Sequence, residues 1–191
     1  MSKRRLLAIS GKRYSGKDTL AALMVAHAAR RGLTLETFAF AAESKRMFVA
    51  REAARGIEVD LVRLSSDREY KELWRPRLTE FTVGSLGIDP LIFCRAVADR
   101  IEVARTPCVI TDLRLRLEVS HLRSRFELHV VRLLRSDASR ASSGWARTSS
   151  VDDHPTETEL DDPSLWDETM ENDGSLEELD TKAGALLGAQ L

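Results

Sequence analysis

The chain has 191 residues, enough for one domain of ordinary size with a substantial core. Its 43% hydrophobic and 31% charged content is that of a globular protein, and a net charge of −1, from 29 basic and 30 acidic residues, excludes a globally basic nucleic-acid footprint. No apolar stretch approaches the length of a membrane span, which argues against a membrane partner.

The near-neutral total hides an asymmetry. Residues 3–147 are rich in arginine, whereas residues 152–180 are strongly acidic. Local arginine clusters around an anionic small molecule fit this pattern. The basic opening Met-Ser-Lys-Arg-Arg is followed by an apolar run too short for the hydrophobic region of a secretory signal. Cys94 and Cys108 lie within apolar patterns and have no metal-ligand spacing, so a reduced, cytoplasmic setting is expected. A monomer fits these observations.

In chain order, Arg5–Ser10 reads as a first, buried strand, because Leu6 to Ile9 is a continuous apolar run. It breaks at Gly11. Gly11, four intervening residues, Gly16 and Lys17 form the G-x-x-x-x-G-K pattern of a phosphate-binding loop, placed where that loop belongs, between a strand and a helix. The glycines let backbone approach a phosphate closely, and the loop amides and the positive helix end face the anion. The loop residues Gly11, Tyr14, Ser15, Gly16, Lys17, Asp18 and Thr19 are therefore the expected nucleotide-binding set. The place after the lysine, ordinarily Ser or Thr, is Asp18, a hard-cation ligand that can hold Mg²⁺ directly or through water.

Residues 18–30 read as a helix, with Leu20, Leu23, Met24 and His27 at helical spacing and Gly32 ending it. His27 reads as a packed helix residue in preference to a ligand. A short strand is expected over 35–40 and a helix over 42–55, with Lys45 and Arg46 near its start, just past a strand end where substrate groups gather in open α/β sheets. Residues 67–81 read as a helix capped by Asp67, residues 83–88 as a glycine-containing loop, and Asp89-Pro90 as the opening of a helix that runs to about Ala104.

Cys108 to Asp112 is an apolar run ending in a carboxylate. In a phosphate-loop protein it reads as the strand beside the first one, with Asp112 near Mg²⁺. A helix over 117–125 and a strand over Glu127–Leu134 follow. Residues 135–150, rich in Ser, Ala and Arg, read as a mobile segment, the composition of a lid that closes over phosphates. Residues 151–163 read as an acidic turn region and residues 165–171 as holding a last strand. Asn172 to Ser175 caps a final helix over 176–187, whose expected buried face is Leu176, Leu179, Ala183, Leu186 and Leu187. Alternating strands and helices predict an α/β three-layer sandwich, a central parallel sheet of about five strands with helices on both faces.

With these residues in hand, the chain resembles the animal-type phosphomevalonate kinases, which have the nucleoside-monophosphate-kinase fold. The likeness rests on Ser10 to Asp18, on Tyr70-Lys-Glu with Arg75, on Asp89-Pro90 followed by Phe93-Cys-Arg95, on Thr111-Asp112 with Arg114, and on Gly144-Trp145 leading to Val151-Asp-Asp153. It is also similar to phage and bacterial deoxynucleoside monophosphate kinases. These share Gly16 to Thr19, the Asp112-x-Arg114 element, His154 followed by Glu157, and the run from Asn172 to Leu179.

The resemblance implies one kinase domain over 1–191, with its core at 1–134 and 164–191 and a lid at about 135–150. It implies transfer of the γ-phosphoryl group of Mg-ATP to the phosphate monoester of a small metabolite. Mevalonate 5-phosphate is the leading acceptor and a (deoxy)nucleoside monophosphate the alternative; a catalytically silent nucleotide-binding regulator is a reading of another class. On matching positions, Lys17 clamps the terminal phosphates, with Asp18 and Asp112 on Mg²⁺. Lys12 and Arg13 face the transferred or acceptor phosphate. Lys45, Lys71, Arg75, Arg95 and Arg114 hold the acceptor, and Arg132, Arg135 and Arg140 act from the lid side, Arg135 by its place in the expected lid. The chain departs from the phosphomevalonate kinase pattern at Leu115 and Ser143, where that family carries arginines, and at residues 82–88; Arg116 and Arg147 are the nearby substitutes.

Overall fold

A computed structural model describes residues 3–190 of the chain. The first residues of the basic opening, Met1 and Ser2, and the terminal Leu191 lie outside the described residues. The chain divides into two compact units: residues 1–38 with 101–191, and residues 39–100.

The first unit is built on a sheet of five strands: β1 (Arg5–Ser10), β2 (Glu36–Phe38), β3 (Cys108–Leu113), β4 (Glu127–Leu134) and β5 (Glu168–Glu171). Their order is β2-β3-β1-β4-β5, and every neighbouring pair is parallel. The central strands are continuous apolar runs because a parallel sheet is covered on both faces. Leu6 to Ile9, Val109, Ile110, Val130 and Val131 are all buried. Beside them pack α1 (Lys17–Arg30) and the last helix of the chain, α10 (Leu176–Gln190). Leu20 and Met24 from α1 join Leu179, Ala183, Leu186 and Leu187 from α10 in one core. Leu176 does not; it is 61% exposed, because it opens the helix a full turn outside the packed stripe. His27 is a packing residue, bound through Nε2 to the carbonyl of Asp180 at 2.9 Å, with Gly184 leaving room for its ring.

The first unit also holds α6 (Arg116–Arg125) and a string of short helical turns between β4 and β5: α7 (Asp137–Ser142), α8 (Ser149–Asp152) and α9 (Pro155–Thr158). The segment read as mobile, 135–150, thus contains a short helix. Ser136 caps α7 by accepting the Ser139 N–H, and Arg140 and Trp145 are buried, the guanidinium lying 3.9 Å over the indole. The last strand is shorter than its expected span, since residues 163–165 form a 3₁₀ turn before it. The second strand is shorter too, because Phe40 already opens the next helix.

The second unit is helical: α2 (Phe40–Ala53), α3 (Leu61–Ser66), α4 (Arg68–Ile88) and most of α5 (Ile92–Val103). Phe48, Val59 and Leu64 form its core, with Tyr70, Trp74, Leu78 and Phe81 packed against it. The helix α3, capped by Asp60, was not foreseen. The expected loop over 83–88 is instead the last turns of α4, which passes through Gly84 and Gly87 and ends at Asp89. Contacts of Phe81 with Phe48 and Phe93, at 5.8 and 6.2 Å between ring centres, anchor that part of α4 and offset the roughly 1 kcal/mol helix cost of each glycine. Asp89 accepts the N–H of Leu91, and α5 starts at Ile92. No single helix among the described residues is long and apolar enough to cross a membrane.

Candidate active site

The loop between β1 and α1 is held by its glycines and by side chains from β4 and from the turn after β5. A Cβ on Gly11 would lie 2.6 Å from Ser15 Oγ and 2.7 Å from the Leu133 carbonyl oxygen. Gly16 has φ +96°, and a Cβ there would run into the amide of Asn172. That amide donates to the Ser15 carbonyl at 2.8 Å, pinning the loop from beneath. Tyr14 takes a positive φ of 62°, uncommon for a side chain of its size and typical of strained functional backbone. Helix α1 therefore begins at Lys17 with its amide end at the loop, the arrangement that binds anions.

Lys17 is only 8% exposed and its ammonium donates to the carbonyls of Gly11, at 2.6 Å, and Lys12, at 2.9 Å. Burial first, then the neighbouring Arg114, lowers its pKa to about 8, against the opposing pull of Glu157 and Asp18. Beside it opens a cleft of about 500 Å³ lined by Lys17, Asp18, Thr19, Asp112, Arg114 and Ser143 among others. A second cleft, of about 440 Å³, runs along Lys12, Arg132, Arg135, Arg140, Trp166 and Asp173.

Several of the cations around the loop are partnered by acidic residues from the segment after α7. Lys12 pairs with Asp161 at 2.8 Å, and the buried Arg132 joins Asp161 and Ser10 Oγ. Arg13 lies 3.4 Å from Asp152. Arg114 pairs with Glu157, whose other oxygen accepts the Arg13 backbone N–H at 2.7 Å. Arg140 pairs with Asp137 at 2.5 Å, and Arg135 reaches the Tyr14 carbonyl at 3.4 Å. The turn after β3 is held by Glu118, whose Oε2 accepts the N–H groups of Arg114 and Leu115, both at 2.9 Å. Burial pushes the Glu118 carboxyl up to about 7 in spite of those two bonds.

Asp18 and Asp112 line the same cleft, with Thr19 and Thr111 beside them. Mg²⁺ typically takes one or two carboxylates and completes its shell with waters and substrate phosphates, so this donor set fits the ion.

The phosphomevalonate kinase family matches residues 9–128, the span that carries the loop, β3 and Arg114. The chain belongs to this family. It is an ATP-dependent kinase acting on a small phosphate-bearing metabolite. A phosphomevalonate kinase of Drosophila melanogaster is 28% identical over 185 residues, covering 94% of this chain and 92% of the relative. In fold, the chain is similar to a Thermus thermophilus protein, TT1252, with a TM-score of 0.58, 20% identity and full coverage of both chains. It is similar also to the Mycobacterium tuberculosis APS kinase solved with AMPPNP and APS, with a TM-score of 0.56 at 10% identity, covering 98% and 99% of the two chains.

In this phosphomevalonate kinase family member, the first unit gathers Lys12, Arg13, Lys17, Asp18, Asp112, Arg114, Arg132, Arg135 and Arg140 around the loop and its two clefts. Lys45, Lys71, Arg75 and Arg95 belong to the second unit. There, burial and then the charge of Lys71 lower the pKa of Lys45. Arg75 pairs with Glu72, and Arg95 with Asp89. Of the two substitutes for the family arginines, Arg116 pairs with Asp162 at 3.1 Å and Arg147 with Asp153 at 3.0 Å, while Ser143 itself lines the Lys17 cleft. Asn172, Glu157, Asp161 and Glu118 escaped assignment from sequence. The signals were the His154-x-x-Glu157 spacing, the acidity of the segment after residue 151 and, for Asn172, the run that opens the last helix; Glu118 had none.

Proposed function

We propose that this kinase transfers the γ-phosphoryl group of Mg-ATP to the phosphate of mevalonate 5-phosphate, giving the diphosphate and ADP. The observation that carries the reading is Lys17. A buried ammonium that donates to two loop carbonyls is ready to exchange them for the β- and γ-phosphate oxygens of a nucleotide seated on the loop. An acceptor phosphate is already nucleophilic at neutral pH, so the protein needs to align two anions and neutralise charge as the phosphoryl group passes between them. Lys17 and the loop amides hold the donor. Arg114, with Lys12 and Arg13 on the outer side of the loop, stabilises the transferred group. Asp18 and Asp112 would hold Mg²⁺, which when bound neutralises phosphate charge.

The paired ammonium groups of Lys45 and Lys71, with Arg75 and Arg95, would hold the acceptor's anionic groups. The segment at about 135–150 would act as the lid, with Arg135 and Arg140 on the nucleotide side, and residues 1–191 would work as one catalytic domain. Cys94 and Cys108, buried as thiols, suit a reducing compartment, and we place the protein in the cytoplasm.

Against a nucleoside monophosphate as acceptor, the aromatic residues that would form a base slot are otherwise engaged. Trp74 and Phe81 pack on Phe48 in the second unit, and Tyr70 lies tilted against Trp74, 6.3 Å between ring centres, while its hydroxyl accepts the Asp60 N–H. A coupled ADP-release assay with mevalonate 5-phosphate and with the four deoxynucleoside monophosphates tests the reading. The expected result is a kcat/KM at least about 100-fold higher for mevalonate 5-phosphate, the discrimination available when buried polar groups are left unpaired by the wrong substrate. Turnover with nucleotides alone would refute it.

A further inference from the structure

We propose that Glu157 is a positioning residue for phosphoryl transfer, its single buried carboxylate holding both Arg114 and the outer turn of the phosphate loop in their working geometry. Glu157 is 6% exposed. A carboxylate stripped of water needs charged or hydrogen-bonded partners on both oxygens. It has them: Oε2 accepts the backbone N–H of Arg13 at 2.7 Å, and Oε1 takes Nη1 of Arg114. The same Nη1 reaches the Thr156 carbonyl at 3.4 Å. The carboxylate is presented by the short helix α9, which opens with Pro155 and is capped by His154 through the Thr156 N–H.

A carboxylate on a loop amide and an arginine has two possible meanings. It stands in for a phosphate and is displaced when substrate arrives, or it remains and orients the donors. The geometry favours the second. Arg114 spends only Nη1 on Glu157 and Thr156; its Nε and Nη2 have no protein partner among the described residues, and the side chain lines the Lys17 cleft. A guanidinium is planar, so fixing one corner fixes the plane and leaves the opposite edge for bidentate contact with phosphate oxygens. The charge of Glu157 acts on Lys17 and Arg132 as well, so one anion offsets the mutual repulsion of the cations that would otherwise spread apart.

This inference rests on the proposed role of Arg114 at the transferred phosphate, and the test separates the two. The variants are E157Q, R114A and the double variant, assayed for kcat and for KM of ATP and mevalonate 5-phosphate, with the Arg13 amide followed by ¹H–¹⁵N NMR in the ATP-free protein. E157Q is expected to lower kcat on the order of 100-fold, as a small misplacement of an aligned group does, with KM for ATP within about threefold. The double variant should be no slower than R114A by more than about twofold, because the two residues act as one unit. The Arg13 amide should shift upfield in E157Q as it loses a charged acceptor. E157D, which keeps the charge, should recover most of the rate; if E157Q does not fold, the neutral E157A carries the same cycle. An E157Q kcat at the wild-type value, fully multiplicative losses in the double variant, or an E157D as slow as E157Q would overturn the proposal while leaving Arg114 in place. A wild-type rate in R114A would overturn the role of Arg114 and this inference together.

Discussion

The two units handle positive charge differently. Around the phosphate loop, Lys17, Arg132 and Arg140 are buried, and each reaches a carbonyl of the loop or the hydroxyl of Ser10 just before it. In the second unit, Arg75 and Arg95 are exposed and are held by neighbours close in sequence, Glu72 and Asp89. Lys45 and Lys71 are half-buried, one depressing the pKa of the other. The lesson is about when order is imposed. The donor side is fixed by folding, before any nucleotide arrives, which is how electrostatic preorganisation lowers a barrier. On the proposed roles, the repulsion between Lys45 and Lys71 would be relieved by an incoming acceptor anion, so ordering on that side would belong to substrate binding.

The contrast predicts that the two sides fail in different ways. Lys17→Ala should have the largest effect, a fall in kcat of about 1,000-fold, as for loss of a preorganised charge donor, measured by ADP release. Lys45→Ala and Lys71→Ala should instead raise KM for the acceptor by roughly 10- to 100-fold, the range for a hydrogen bond to a charged group, with ATP affinity by calorimetry unchanged. If they lowered kcat as Lys17→Ala does, the division between the two sides would be broken.

Next in size is the loop's own scaffold. Gly16→Ala meets both a positive φ and the Asn172 amide, and should cost about 1–3 kcal/mol of stability in denaturant unfolding, with weaker ATP binding. Asn172→Ala should cost about 1 kcal/mol through the lost bond to the Ser15 carbonyl. A prediction of another kind, a pH dependence, concerns Glu118. Its carboxyl is raised to about 7 in the fold, so the native state binds more protons than the unfolded chain between the ordinary carboxylate pKa and about 7. Stability should therefore fall as pH rises through that window, by at most about 1.4 kcal/mol per pH unit, and Glu118→Gln should flatten the slope in thermal melts.

Much of the donor side could be read from local pattern. A continuous apolar run, two glycines at fixed spacing and a lysine specify β1, the loop and α1, since each signal lies within a few residues of the next. Strands β3 and β4 were legible for the same reason, and Asp112 and Arg114 with them. What remained hidden depends on long-range pairing. Glu157 meets the Arg13 amide across 144 residues, and the segment read as an acidic turn supplies Asp152, Glu157 and Asp161 as countercharges to the loop. That pairing also accounts for the arginine-rich first part and acidic later part of a nearly neutral chain. Glycine content misled over residues 83–88, where aromatic packing at Phe81 outweighs local propensity, and the serine-rich composition of 135–150 did not announce the short helix that Arg140 on Trp145 anchors.

The most direct test of phosphoryl transfer between two aligned phosphates is ³¹P NMR of the protein with Mg-ATP and mevalonate 5-phosphate. The account predicts loss of the γ-phosphate and monoester signals together, with a new pair of mutually coupled doublets from the diphosphate product. An unchanged monoester signal, whether ATP persists or decays to inorganic phosphate, would contradict it.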